Sequence, residues 1–209
     1  MLRFRALALA AAPVAAAFAL APAPVAAQAA NGLSQVQQHL RAVNTMQANF
    51  SQTDRRGRTL SGTVSIKRPG RVRFDYGRNA DMLIVGDGSA LIFYDGAVNQ
   101  TSRWPINDSP LSVLLNPNQD LSRFSRVTRN DAQVLLVEAR DPRRREFGTI
   151  TIAFAKSGSA PGGLLLTGWT MLDAQNARTT VRLSNQRFNV ALADSLFRFT
   201  RPRRGGPRG

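Results

Sequence analysis

The chain has 209 residues, a formal net charge of +15, no cysteine and a single histidine, His39. This composition excludes thiol chemistry, and it makes a zinc site or a Ser-His-Asp triad hard to build. We therefore expect no enzymatic activity, no metal and no cofactor, and we expect His39 to be a surface residue. The charge favours anionic partners, either nucleic acid, anionic lipid or acidic protein faces, although a solvated basic surface explains it equally well.

The N-terminal segment has the pattern of a secretory signal. Arg3 and Arg5 precede the uncharged apolar run Ala6–Leu20, and small residues follow as far as Ala27. We predict a signal peptide over the first 27 residues, with cleavage after Ala27 favoured over cleavage after Ala29. An uncleaved membrane anchor would need about 20 unbroken apolar residues, and three prolines interrupt this segment.

The rest of the chain is expected to form one domain over residues 28–200, followed by a basic, disordered tail over residues 201–209. Bacterial lipoproteins carry their lipid on a cysteine at the signal cleavage site, and this sequence has no cysteine. We therefore expect a protein that is free in the periplasm and is not anchored by that route.

One helix and then a long series of strands are predicted from the hydrophobic periodicity. Ser34 is suited to cap the helix, whose apolar side chains recur at intervals of three and four up to Val43. From Met46 onward apolar and polar side chains alternate, with turn residues between the runs, which predicts about ten strands. Short turns join them, so we expect one large, curled antiparallel sheet with the helices on its concave side.

A short apolar helix is predicted to interrupt the strands. Ser109 is a good N-cap, Pro110 suits the first helical position, and Leu111, Leu114 and Leu115 fall on one face. A helix of this kind has to cover apolar surface.

The strands supply such a surface, because Phe50, Val72, Phe74 and Tyr76 need a cover on the dry side of the sheet. The helices could fill this space as ordinary core, which is the usual case, or they could form a lid over a cavity.

Arg68 is the unusual residue of the second strand. It has the same parity as Val64 and Ile66, so on a regular strand its side chain points to the dry face. A guanidinium there is costly unless its donors find partners, such as the backbone carbonyls of a helix end or loop. The alternative is that Arg68 lies at the strand end before Pro69 and reaches water.

Several short motifs follow one another along the predicted strands. They are Lys67-Arg68-Pro69, Phe74-Asp75-Tyr76, Leu83-Ile84-Val85-Gly86-Asp87-Gly88, Phe93-Tyr94-Asp95, Val98-Asn99-Gln100 and Ser109-Pro110-Leu111. Their order and spacing resemble the periplasmic outer-membrane lipoprotein carrier family (LolA-type). The resemblance extends from Leu33 to Pro202.

The resemblance implies a mainly β fold with some α, an incomplete antiparallel β-barrel (half-barrel) with a helical lid over an apolar cavity. The family's functional arginine falls on Arg68, where hydrogen bonds to the lid would hold the empty form closed. The lid helix is expected to contain Pro110, Leu111, Leu114 and Leu115. The cavity would hold acyl chains, and the side chains expected to line it are Phe50, Val64, Ile66, Val72, Phe74, Tyr76, Leu91, Phe93, Ile150, Ile152, Phe154 and Trp169.

The resemblance also implies a soluble periplasmic carrier that shuttles lipoproteins from the inner to the outer membrane. Its expected partners are acylated lipoproteins as cargo, an ATP-dependent lipoprotein-releasing transporter in the inner membrane, and an outer-membrane acceptor or the membrane itself. We expect a monomer that binds no nucleic acid. The alternative is a periplasmic lipid-binding or envelope-sensor protein with a related half-barrel fold.

Overall fold

The computed structural model describes residues 25–77, 81–106, 112–141, 146 and 148–202, and of residues 25–30 it describes the backbone alone. Within these ranges the chain forms one antiparallel sheet of eleven strands, two α-helices and three short 3₁₀ helices. The sheet is open, because its two terminal strands do not pair with each other. The predicted mainly β fold with an incomplete barrel is confirmed.

The elements follow the chain in this order. The helices are α1 (Val25–Ala42) and α2 (Ser112–Leu115), and the 3₁₀ helices span Leu121–Arg123, Pro161–Gly163 and Asp194–Phe197. The strands are β1 (Thr45–Thr53), β2 (Thr59–Lys67), β3 (Arg71–Asp75), β4 (Met82–Asp87), β5 (Ala90–Asp95), β6 (Gln100–Pro105), β7 (Ser125–Asn130), β8 (Val134–Ala139), β9 (Thr149–Lys156), β10 (Leu164–Leu172) and β11 (Arg178–Phe188).

The strand order is β6-β5-β4-β3-β2-β1-β11-β10-β9-β8-β7, so β1 joins two meanders. Within each meander every strand pairs with its neighbour in the chain, whereas β1 pairs with β2 on one side and with β11 on the other. Register shifts interrupt the β1–β11, β9–β10 and β7–β8 ladders. Such bulges bend and twist the strands, which is how a sheet of this length curls.

The main core lies on one face of the sheet, which we call the inner face. Cross-strand partners there are in register, as with Ala48, Val64 and Phe74, so their side chains project to the same side. Buried residues of α1 and α2 belong to the same core cluster. Both helices therefore cover the inner face, while a smaller cluster of Leu83, Val85 and Tyr94 forms separately with Phe199.

The predicted start of the first helix is wrong. The helix α1 begins at Val25, so Ser34 lies inside it and is not its N-cap. The residues between Val25 and Ala30 include four alanines, the best helix former, and this extends the helix toward the N-terminus. None of the described helices is long and apolar enough to span a bilayer.

The prediction that His39 is a surface residue is also wrong, because its side chain is only 1% exposed. His39 falls between Val36 and Val43 on the buried stripe of α1. Its Nδ1 lies 2.8 Å from the carbonyl oxygen of Pro161, and its ring meets the ring of Phe154 edge-on. The helical spacing from Val36 was the sequence signal for this burial.

Candidate functional site

The turn between β2 and β3 is the point where the helices meet the sheet. The backbone amide of Arg68 donates to the carbonyl of Asn44 at 2.8 Å, and the amide of Gly70 donates to the carbonyl of Leu115 at 3.0 Å. Gly70 has a φ of +72°, a conformation that glycine adopts without strain. The turn is therefore bonded to the segment after α1 and to α2 at once.

The side chain of Arg68 repeats this double connection. Its Nε donates to the carbonyl of Leu114 at 3.0 Å, and its Nη1 donates to the carbonyl of Val43. Val43 directly follows α1, and Leu114 lies in the single turn of α2. Carbonyls at helix C-termini lack partners inside their own helix and carry partial negative charge, so a guanidinium between two of them satisfies both.

Burial lowers the pKa of Arg68 to about 10, which leaves the group charged at neutral pH. The partners of its side chain within the described part of the chain are neutral carbonyl groups. A buried charge held by dipoles alone recovers less of its desolvation cost than one held by a carboxylate. The contact therefore fixes α2 in place without binding it as tightly as an ion pair would.

The structure brings the predicted cavity residues together on the inner face. Ten of them are at most 5% exposed, and these are Phe50, Val64, Ile66, Val72, Phe74, Tyr76, Ile150, Ile152, Phe154 and Trp169. Phe50 meets Phe74 and Tyr76 edge-on, with ring centroids 5.4 and 4.9 Å apart, and Phe74 meets Trp169 at 6.1 Å. In this conformation the side chains pack against one another.

Leu91 and Phe93, the other two predicted cavity residues, are half-buried. They pair in register with Gly86 and Ile84, which places them on the inner face toward the β6 edge. Trp104 pairs with Leu91 and is 46% exposed. We call Ile84, Leu91, Phe93 and Trp104 the apolar mouth, because the inner face becomes accessible there.

The sequence-based cavity prediction did not include Ile84 or Trp104. Ile84 alternates with the buried Leu83 and Val85, so periodicity alone does not tell which side of β4 faces the main core. The pairing of Trp104 with Leu91 follows from the length of the β5–β6 turn. The alternation of apolar and polar residues alone does not fix this register.

The lid prediction falls partly on described residues. Leu114 and Leu115 lie in α2 and are each 2% exposed, packed into the inner-face core together with Val113. Pro110 and Leu111 lie outside the described residues. The part of α2 that is described thus covers apolar side chains of the sheet.

A charged cluster lies on the opposite, outer face of the same turn. Lys67 Nζ and Arg71 Nη1 contact the Oδ1 atom of Asp194 at 2.6 and 2.7 Å. The hydrogen bond from Lys67 is the main cause that lowers the pKa of Asp194. These contacts hold the C-terminal segment against β2 and β3. In the described part of the chain, no three His, Asp or Glu side chains are grouped to hold a metal ion.

Comparisons of the sequence with known proteins point to one family. A family model described as "Outer membrane lipoprotein carrier protein LolA" matches residues 41–200. An outer-membrane lipoprotein carrier protein of Dechloromonas aromatica is 29% identical over 183 residues, which cover 83% of this chain and 85% of that protein. The protein of the same description from Actinobacillus succinogenes is 29% identical over 184 residues, which cover 83% and 84%.

Two solved structures also align with most of this chain. A LolA superfamily protein of Nitrosomonas europaea has a TM-score of 0.45 and 13% identity, and the match covers 80% of this chain and 97% of that one. A DUF1329 family protein of Desulfovibrio piger has a TM-score of 0.46 and 13% identity, with 81% and 96% covered.

Proposed function

This chain belongs to the family of outer membrane lipoprotein carrier proteins, LolA, and from that premise we propose that it carries acylated lipoproteins through the periplasm from the inner to the outer membrane. The family consists of binding and transport proteins and not of enzymes. The carrier acts as a monomer without a cofactor. It takes its cargo from an ATP-dependent transporter of the inner membrane and delivers it to an outer-membrane acceptor or to the membrane itself.

The task is set by the cost of exposing acyl chains to water. Burying a methylene group contributes about 0.8 kcal/mol, so a chain of about 15 methylenes costs roughly 12 kcal/mol when exposed. A carrier has to bury most of this surface and yet release it at the target membrane. It therefore needs an apolar site that is costly to keep open once the cargo has left.

We assign the acyl site to the inner face and its entrance to the apolar mouth. Phe50, Phe74 and Trp169 lie on this face and pack against one another in the structure. In the loaded form α2 moves away and acyl chains take up these contacts. When the cargo leaves, the aromatic side chains and α2 return to each other, and this recovered contact lowers the net affinity for cargo.

The observation that carries the proposal is the position of the Arg68 guanidinium. It bridges the carbonyls of Val43 and Leu114 at the edge of the inner face. Opening the lid breaks the bond to Leu114 O, and closing it restores that bond. Arg68 thus stabilises the empty, closed form and sets the balance between holding and releasing cargo.

The variant Arg68→Leu tests this function. We expect it to hold about ten times more cargo in the periplasm and to transfer it more slowly, because the charge-assisted hydrogen bond to the carbonyl of Leu114 is lost from the closed form alone. The measurement is mass spectrometry of the lipoproteins that co-purify with the carrier, together with their transfer rate to outer-membrane vesicles. Arg71→Leu is the matched control, because Arg71 contacts Asp194 on the outer face and not the lid.

Two results would contradict the proposal at different levels. An unchanged transfer rate in Arg68→Leu would show that Arg68 does not hold the lid closed. No acylated cargo on the wild type or on Arg68→Leu would contradict the carrier function itself, and free lipids in place of lipoproteins would favour the lipid-binding alternative.

A further inference from the structure

The two edges of the open sheet are built differently. The β7 edge carries a bulge between Val127 and Arg129, and α1 packs against this strand. The β6 edge has no bulge, since its register with β5 runs without a shift from Ala90–Pro105 to Asp95–Gln100. No described strand pairs with the outer side of β6. A regular, uncovered edge strand is a template on which another strand can add.

The hydrogen-bonding pattern between β5 and β6 shows which backbone N–H and C=O groups of β6 point away from the sheet. The amide of Ile106 donates to the carbonyl of Ser89 at 2.9 Å, and bonded pairs alternate along an antiparallel ladder. Ser102 and Trp104 therefore bond to β5, whereas Thr101 and Arg103 direct their N–H and C=O groups away from the sheet. These outward groups are spaced two residues apart, as an added strand requires.

The apolar mouth lies beside this edge. Trp104 belongs to β6 itself, and Leu91 and Phe93 belong to β5, the neighbouring strand. Neighbouring strands are about 4.8 Å apart. An acyl chain that enters through the mouth therefore leaves the polypeptide attached to it next to the outer edge of β6.

We propose that the outer edge of β6 binds the polypeptide segment that follows the acylated residue of the cargo, as an additional β-strand. The proposal rests on the proposed carrier function and assigns a second contact to it. The N–H and C=O groups of Thr101 and Arg103 pair with the main chain of the cargo, while its acyl chains occupy the inner face.

Main-chain pairing fits a carrier whose cargoes share an acylated residue and differ in sequence, because backbone hydrogen bonds do not read side chains. The side chain of Arg103 points to the outer face, where it contacts Asp87 at 3.1 Å, and so leaves the edge free. The acyl anchor also makes the pairing intramolecular, with an effective concentration of the order of millimolar. A few hydrogen bonds are then sufficient.

The test uses two synthetic lipopeptides with the same triacylated cysteine, one ending two residues after it and one continuing for ten residues. Arg103→Pro removes one outward N–H, and proline is tolerated at such solvent-facing positions of an edge strand. Arg103→Ala is the matched control, because it loses the same side chain and keeps the N–H. We expect the wild type and Arg103→Ala to bind the long lipopeptide about tenfold more tightly than the short one, and Arg103→Pro to bind both with the affinity of the short one.

Amide exchange on the wild-type protein provides a second measurement that needs no variant. Binding of the long lipopeptide should protect the amides of Thr101 and Arg103, and binding of the short one should not. Equal affinities of the wild type for both lipopeptides, or no added protection at these amides, would overturn the edge proposal and leave the carrier function standing. If the short lipopeptide did not bind the wild type at all, that result would contradict the proposed carrier function.

Discussion

Arg68 and His39 are two buried nitrogen bases near the C-terminal end of α1, and burial lowers the pKa of both but leaves one charged and the other neutral at pH 7. Arg68 stays charged, because its lowered pKa of about 10 is still above neutral pH, and its guanidinium donates to the carbonyls of Val43 and Leu114. His39 stays neutral, because desolvation lowers its pKa below the usual 6.5, against the opposing effect of its hydrogen bond to Pro161. The positive charge of Arg68 lowers the pKa of His39 further.

His39 should make the stability of the protein depend on pH. Its pKa is lower in the folded than in the unfolded protein, so the unfolded state binds more protons once the pH falls below about 6.5. The free energy of unfolding of the wild type should therefore fall more between pH 7.5 and pH 5 than that of His39→Gln, which keeps an N–H donor and does not titrate. Urea unfolding at both pH values measures this difference. Equal losses in the two proteins would assign the pH dependence to other groups.

At the scale of elements, α2 depends on contacts with the rest of the fold. Four residues are far too few for a stable isolated helix. Its position depends on the burial of Leu114 and Leu115 and on the hydrogen bonds from Arg68 and Gly70. The amide of Gly70 is therefore a direct reporter of the proposed lid opening, because its acceptor is the carbonyl of Leu115.

We expect the Gly70 amide to exchange about tenfold faster in Arg68→Leu than in the wild type, because the closed lid loses a charge-assisted hydrogen bond. The amide of residue 68 should stay protected, because its acceptor is the carbonyl of Asn44, which lies between α1 and β1 and not in the lid helix α2. Amide exchange followed by NMR measures both. Faster exchange at residue 68 to the same degree would indicate loosening of the whole turn and would contradict a lid motion.

The sequence was a good guide to the elements wherever one face of a strand is buried. Alternation at Val64 and Ile66 predicted β2, and the parity of Arg68 predicted its orientation toward the inner face. Its partners could not be predicted, because Val43 and Leu114 come from segments that meet only in the fold. The predicted start of α1 was wrong, because the alanine-rich sequence before Ser34 extends the helix toward the N-terminus.

At the scale of the whole molecule the formal net charge of +15 is the dominant electrostatic feature. Exposed ion pairs such as that of Arg126 with Glu138 contribute little to stability. The charge acts instead on association, because it attracts partners with acidic faces over distances longer than a contact.

The association rate with the proposed inner-membrane transporter should therefore fall steeply as salt is raised, by about tenfold or more between low and high ionic strength. The dissociation rate should change little. Stopped-flow binding to the detergent-solubilised transporter measures both rates. An association rate that does not respond to salt would exclude electrostatic guidance of docking.

The central place of β1 also determines the order in which the protein can fold. Each meander contains hairpins whose strands are neighbours in the chain, and such local contacts form quickly. The β1–β11 ladder joins opposite ends of the domain, as Phe50 pairs with Leu183, so it has to wait for a long loop to close. A chain that leaves a translocation channel N-terminus first therefore has β1 available long before its partner. In that interval the first meander stands alone with an open edge and an uncovered apolar face, which is when this carrier itself most needs protection from aggregation.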